Sequence, residues 1–284
     1  MKIWIKATAL LISLSVTATV NATIFYLDEF TVTSGNYNFT DTFSDGQPPP
    51  SGSNGANTYL TQGDFGPESG GRLKIDTLRG VLRNTSVTGN ERYVQRSRLR
   101  TNATNDLSIP GLKIDNDISV LGRFDFIAAN LNRERYSIRL TDFRSGRVAN
   151  DNVEVGVFRN ARGNFSIQFR EADFAADVFN VLGSYTLDSS YFDLYEQINL
   201  NLFSNANDNS VFAGFELFDL DGGLNSLAYE FNATGNIFDG ENWTRAGIIT
   251  TAPVILAVPE PASLALFGLG LIGLGLMKRG DKHI

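Results

Sequence analysis

Hydrophobic and polar residues alternate with a period of two along most of the chain between residues 23 and 257. The clearest runs have their apolar positions at Tyr136-Ile138-Leu140, Val153-Val155-Val157, Phe165-Ile167-Phe169 and Ile198-Leu200-Leu202. Successive side chains of a β-strand point to opposite faces, so this pattern predicts strands that are buried on one face only. No stretch of this region carries a sustained helical stripe.

Turn sequences rich in glycine and asparagine separate these runs. They include Asp45-Gly46, Gly89-Asn90, Ser145-Gly146, Arg162-Gly163-Asn164, Asp221-Gly222-Gly223 and Asp239-Gly240. Short strands joined by such turns are typical of an all-β protein built as an antiparallel β-sandwich or jelly roll. We therefore predict one β-sandwich domain over residues 23–257. Within it, residues 171–180 break the rhythm and predict a short helix or a broad loop.

The first 22 residues have the features of a secretory signal peptide. Lys2 and Lys6 form a basic start, residues 7–20 are apolar, and Val20-Asn21-Ala22 is a small-x-small cleavage sequence. This arrangement predicts a leader over residues 1–22 that is cut after Ala22 during export by the Sec machinery.

The last part of the chain, residues 258–284, has three features in a fixed order. Pro259-Glu260-Pro261 comes first, an uncharged apolar segment follows over residues 262–277, and Lys278-Arg279 comes next. As a helix, the apolar segment is about 24 Å long, short of the roughly 30 Å hydrocarbon core of a bilayer. The basic residues after it favour a cytoplasmic end and an exported domain. An ordinary single-span anchor is one interpretation of this segment.

The order of these parts also resembles the PEP-CTERM sorting signal of Gram-negative bacteria. The resemblance implies handling by an exosortase, a membrane-embedded, cysteine transpeptidase-like enzyme, and later removal of the apolar helix. Proteins with this signal are exported and often linked to exopolysaccharide and the biofilm matrix. We therefore expect anchoring in the inner membrane before processing, and a cell-surface or extracellular location afterwards.

Three sequences of the central region resemble the concanavalin A-like lectin/glucanase sandwich. They are Asp41-Thr42-Phe43-Ser44-Asp45-Gly46, Gly70-Gly71-Arg72-Leu73-Lys74-Ile75 and Ala213-Gly214-Phe215-Glu216-Leu217-Phe218-Asp219. The resemblance implies two curved antiparallel sheets, with sugar bound on the concave one. The Glu-x-Asp-x-Glu strand that serves catalysis in the glucanases of this family is absent from the sequence.

Composition excludes several kinds of active site. The chain has no cysteine, and its one histidine is His283 in the tail. The central region therefore has no disulfide, thiol nucleophile, imidazole metal ligand or Ser-His-Asp triad. The net charge of −7 argues against nucleic acid as a partner. We expect no enzyme activity; the alternative is a secreted carbohydrate-active hydrolase that uses an acid pair from separate strands.

Asp219 and Asp221 stand two residues apart before a Gly-Gly turn, and this is a fragment of the pattern that calcium loops use. One interpretation is an extracellular calcium site, the only cofactor that the sequence indicates. The other is a plain Asp-Gly hairpin turn without metal.

Arg96, Arg98 and Arg100 alternate along one predicted strand and therefore share a face. Guanidinium groups suit bidentate contacts with carboxylates or sulfates, so one interpretation is a binding row for acidic exopolysaccharide. The other is a solvated face paired with the chain's own acidic residues. Trp243 is the one tryptophan of the central region and a candidate for stacking against a sugar ring. Together these patterns predict an exported, non-catalytic surface or matrix protein with weak glycan binding.

Overall fold

The computed structural model describes residues 23–46, 59–63, 65, 68–77, 80–84, 93–101, 116–142, 151–173, 178–208, 210–219, 226–236 and 244–254. These residues form strands almost throughout. The strands are β1 (Ile24–Ser34), β2 (Tyr37–Asp41), β3 (Tyr59–Gln62), β4 (Leu73–Asp76), β5 (Val81–Asn84), β6 (Tyr93–Thr101), β7 (Ile118–Asp125), β8 (Arg135–Asp142), β9 (Asn152–Arg159), β10 (Phe165–Asp173), β11 (Val178–Leu187), β12 (Gln197–Ser204), β13 (Ser210–Phe218), β14 (Ser226–Glu230), β15 (Gly235–Asn236) and β16 (Thr244–Pro253). One short helix, α1 (Tyr191–Leu194), lies between β11 and β12.

The strands form two sheets in which every pair of neighbours is antiparallel. The first sheet has the order β14-β13-β12-β7-β1-β2, with β15 beside β13 and β4 beside β1. The second sheet has the order β11-β10-β9-β8-β16-β6-β3, with β5 beside β6. Strands that are distant in sequence, such as β8 and β16, are therefore direct neighbours. This long-range pairing brings the side chains of the candidate site together.

The two sheets bury one common hydrophobic core. Tyr136 of the second sheet is fully buried against two rings of the first, with centroids 4.5 Å from Phe25 and 5.1 Å from Phe124. The inward positions of β8, β9, β10 and β12 are the apolar residues of the predicted alternating runs. Burial of alternate positions on both sheets is the arrangement of a β-sandwich, so the predicted all-β fold class is confirmed.

Of the helix or broad loop predicted over residues 171–180, residues 171–173 and 178–180 are strand instead, and residues 174–177 lie outside the described residues. β10 continues to Asp173 and β11 begins at Val178, and the amide of Asn180 donates a hydrogen bond of 2.9 Å to Glu171 across the pair. The register of β10 against β11 shifts between Phe169 and Arg170. This bulge interrupts the alternation of apolar and polar residues by which a strand is recognised in the sequence.

Within the described residues, no helix is both long enough and apolar enough to cross a membrane. The predicted signal peptide and the predicted C-terminal transmembrane helix lie outside these residues.

Candidate functional site

The outward face of β6 carries the three arginines that the sequence places on one side of a strand. Ser97, Leu99 and Thr101 point into the sandwich and are buried. Arg96, Arg98 and Arg100 occupy the alternate positions and are half-buried. They therefore lie close against the sheet rather than extend into solvent.

Strand register adds four further arginines to the same face. β16 pairs with both β6 and β8, and it places Gly247 between Arg100 and Arg139. β9 then pairs Glu154 with Arg139 on one side and with Arg170 of β10 on the other. The complete group, here called the arginine face, consists of Arg96, Arg98, Arg100, Arg135, Arg139, Arg170 and Arg245.

Glu154 lies among these cations and is the single acidic residue at the paired positions of this face in the described strands. Arg135 Nη1 donates to its Oε1 at 2.7 Å, and Arg139 Nε donates to its Oε2 at 3.2 Å. Arg170 Nη1 lies 3.8 Å from Oε1. Burial favours the neutral acid, but the three guanidinium groups outweigh burial and hold the pKa of Glu154 well below its usual range. The carboxylate is therefore ionised and neutralises only part of the surrounding positive charge.

The remaining positive charge is electrostatically costly to the folded protein. Burial lowers the pKa of Arg135 to about 10; Glu154 opposes this shift, whereas Arg139, Arg170 and Arg96 reinforce it. Burial also lowers the pKa of Arg245 to about 10, and repulsion from Arg100 adds to it. Cations that are partly desolvated and close to one another are stabilised by an added anion. An anion beside Arg135 or Arg245 would therefore oppose these shifts.

Small residues form the surface between the arginines. A Cβ atom added at Gly156 would lie only 2.3 Å from Cβ of Ser137, its partner on β8. A Cβ atom added at Gly247 would lie 2.5 Å from the carbonyl oxygen of Leu99. The strands therefore approach so closely on this face that only glycine fits at these positions.

Two arginines are held in place by an aromatic ring as well as by Glu154. The guanidinium carbons of Arg135 and Arg170 lie 5.4 and 5.0 Å from the ring centroid of Phe158. Phe158 therefore supports both cations from one side. Positioned guanidinium groups lose less entropy when they bind a carboxylate than free side chains do.

The first sheet contains two acidic residues that share one arginine. Arg72 contacts both Asp28 and Asp125, and burial together with repulsion from Asp125 raises the pKa of Asp28 to about 6. Arg72 Nη1 donates to Asp125 at 3.0 Å, and Gln197 Nε2 donates to Asp28 at 2.6 Å. The hydrolase alternative stays a prediction.

Several predicted site residues lie outside the described residues. They are Ala22 at the cleavage site, Trp243, Asp221 of the calcium pair, and Pro259, Glu260, Pro261, Lys278 and Arg279 of the sorting signal. Asp219, the other member of the calcium pair, directly follows β13 and is half-buried. The described residues hold no group of three or more acidic or histidine side chains suited to a metal ion. The calcium site stays a prediction.

The PEP-CTERM protein-sorting motif matches residues 257–279. The predicted sorting signal is therefore confirmed, and the motif implies a secreted protein that an exosortase sorts through a membrane-anchored C-terminal signal. The match covers the sorting segment alone. No protein of curated function matches the sequence.

Solved structures similar to this chain include legume-type lectin sandwiches. The metal-free form of lectin I-B4 from Griffonia simplicifolia has a TM-score of 0.38 and 10% sequence identity, over 69% of this chain and 89% of the lectin. Lectin UEA-II, complexed with galactose, has a TM-score of 0.36 and 11% identity, over 82% of this chain and 91% of the lectin. The all-β fold class rests on the two observed sheets.

Proposed function

We propose that this chain is an exported, exosortase-sorted protein that binds acidic polysaccharide through the arginine face without catalysing a reaction. The sorting motif supports the export. The observation that supports the ligand is the group of seven arginines on one face, where Glu154 is the single acidic residue at the paired positions of the described strands. The exosortase and the Sec machinery are its partners during export, and the polysaccharide is its partner afterwards.

The charge of the chain as a whole makes the arginine face a selective site. The protein has a net charge of −7, so a polyanion is repelled by most of its surface. Clustered guanidinium groups attract the same polyanion to one face and bind its carboxylates through paired N–H donors. Weak, repeated contacts along a polymer also suit a matrix protein, because several bound units raise the overall affinity.

A retention experiment tests the ligand. The processed protein is applied to immobilised polygalacturonate, which is rich in uronate, and to neutral dextran, and it is eluted with a salt gradient. We expect retention on the uronate polymer only, with loss of binding at high salt because the contacts are ionic. Release of reducing ends from the polymer during incubation would contradict the proposed absence of catalysis.

Substitution of the β6 arginines assigns the binding to the face. The triple variant Arg96→Gln, Arg98→Gln, Arg100→Gln is expected to bind uronate polymer at least about 10-fold more weakly, which corresponds to about 1.4 kcal/mol. The control carries the same change of charge at Arg123, Arg133 and Arg162, which lie outside the arginine face. Equal retention of the two triple variants would overturn the proposal.

A further inference from the structure

Glu134 directly precedes β8 of the second sheet, and its carboxylate is fully buried. Its two oxygens accept four hydrogen bonds. Thr23 N and Thr77 Oγ1 donate to Oε1 at 3.1 and 2.6 Å, while Thr23 Oγ1 and Leu131 N donate to Oε2 at 2.6 and 3.0 Å. None of these four donors belongs to a lysine or an arginine.

A buried carboxylate normally has a cationic partner, because its charge is costly to remove from water. Four neutral donors satisfy the oxygens of Glu134 but do not neutralise its charge. One of the four donors is a backbone nitrogen, Thr23 N, at the beginning of the sandwich.

Thr23 is held firmly at this site. It is 2% exposed, and its Oγ1 accepts a hydrogen bond of 2.6 Å from Asn130 N. The residue before it, Ala22, is the predicted end of the signal peptide. The nitrogen that lies 3.1 Å from the Glu134 carboxylate is thus the nitrogen that leader removal converts into the α-amino group.

We propose that cleavage of the leader after Ala22 places the new α-ammonium group of Thr23 in a buried ion pair with Glu134. The inference rests on the proposed export of the chain. In this step a signal peptidase adds water across the Ala22–Thr23 peptide bond. Ala22 keeps the carboxylate, and the nitrogen of Thr23 becomes a protonated amine. Its three N–H groups replace the single amide donor, and its positive charge neutralises the buried carboxylate.

The ion pair gives processing a structural consequence. Thr23 directly precedes β1, Thr77 follows β4, and residues 130–134 form the turn before β8, so the pair joins both sheets at one end of the sandwich. Before cleavage, the carboxylate of Glu134 is buried with neutral partners only. After cleavage, the same carboxylate has a cation. The mature protein is therefore more stable than the uncut precursor, and the last increment of stability arrives after export.

The test uses the full-length chain with its own leader, expressed in a Gram-negative host and purified after export. Three variants are compared with the wild type: insertion of one alanine between Ala22 and Thr23, the substitution Glu134→Gln, and both changes together. N-terminal sequencing identifies the first residue of each mature protein. We expect Thr23 in the wild type and the added alanine in the insertion variant.

The melting temperature then measures the ion pair. The insertion moves the ammonium group away from Glu134, and Glu134→Gln removes the charge of its partner, so each change lowers the melting temperature by about 5–10 °C. The double variant is expected to lose less than the sum of the two, because either change alone breaks the pair. The control is Glu68→Gln, at another buried carboxylate. It is expected to change the melting temperature by the same amount in the wild type and in the insertion variant.

Three results would overturn the inference: a mature wild-type protein that starts elsewhere than Thr23, an insertion variant that melts at the wild-type temperature, or losses that add in the double variant. Failure of the proposed function has a different signature. A chain that stays in the cytosol contradicts export, and a chain that does not bind uronate polymer contradicts the ligand. The insertion lies outside the arginine face, so it is expected to leave polymer retention unchanged.

Discussion

Glu154 sets how much positive charge the arginine face presents to a ligand. Its carboxylate contacts Arg135 and Arg139 directly and is itself only 5% exposed. Ser137 Oγ also donates to it, at 3.3 Å. Under the proposed function, an anionic ligand competes with Glu154 for the same guanidinium groups. We therefore expect this residue to stabilise the free protein and to weaken the binding of polyanions.

Replacement of Glu154 by Gln is expected to change stability and binding in opposite directions. The variant keeps the size of the side chain but leaves the neighbouring arginines without their anion, so we expect a loss of about 3–5 kcal/mol in the free energy of unfolding. The freed guanidinium groups should bind uronate polymer more tightly. Melting temperatures with and without polymer measure both effects, and the polymer should raise that of the variant more.

Glu171→Gln is the matched control, because Glu171 lies on the neighbouring β10 at a position of inward parity. It changes the net charge by the same amount but leaves the contacts of the arginine face intact. Stronger polymer binding by this variant as well would show that overall charge, rather than the face, governs retention.

Most strands could be predicted from alternation alone, whereas the pairing of each strand with its neighbours in the sheet could not. The pattern Arg135-Ser137-Arg139 already predicts two arginines on the polar face of β8. What the sequence does not contain is the pairing of β8 with β16, which is more than 100 residues away, and of β16 with β6. Arg245 could therefore not be assigned to the same face as Arg100. Alternation along a strand predicts which of its side chains share a face. Only the pairing between strands shows which of these side chains lie next to one another in one site.

The close approach of β8 and β9 provides a prediction about these elements. Gly156→Ala adds a Cβ atom 2.3 Å from both Ser137 Cβ and the carbonyl oxygen of Tyr136, and a backbone oxygen cannot move aside cheaply. We expect a loss of about 1–3 kcal/mol in the free energy of unfolding, measured by denaturant titration. Weaker binding of uronate polymer should accompany it, because the two strands also carry Arg135, Arg139 and Glu154.

A second substitution to alanine serves as the reference for that measurement. Ser184→Ala lies at an exposed position of the edge strand β11 and removes an atom instead of adding one. It should leave both stability and binding nearly unchanged. If Gly156→Ala behaved in the same way, the strands would have room for a side chain and the proposed packing constraint would be wrong.

Buried acidic groups make the stability of the whole sandwich depend on pH. Burial raises the pKa of Glu68 to about 7, with contributions from Asp45 and Asp41, and that of Asp28 to about 6. Both groups bind protons more strongly in the folded state than in the unfolded state. Glu154 behaves in the opposite way, because its pKa is lowered in the folded state. The two kinds of group act in different pH ranges.

The signs of these shifts predict an optimum of stability in mild acid. The contribution of Glu68 and Asp28 is complete below their unfolded pKa values of about 4 and is lost as the pH rises to about 7. Each accounts for about 1–3 kcal/mol of that loss. The contribution of Glu154 is present above about pH 4.5 and is lost as the pH falls further. The free energy of unfolding, measured by denaturant titration from pH 3 to pH 8, should therefore be largest near pH 4–5 and decline towards pH 7. Glu68→Gln and Asp28→Asn should each flatten the decline, and an unchanged slope in both variants would show that other groups control it.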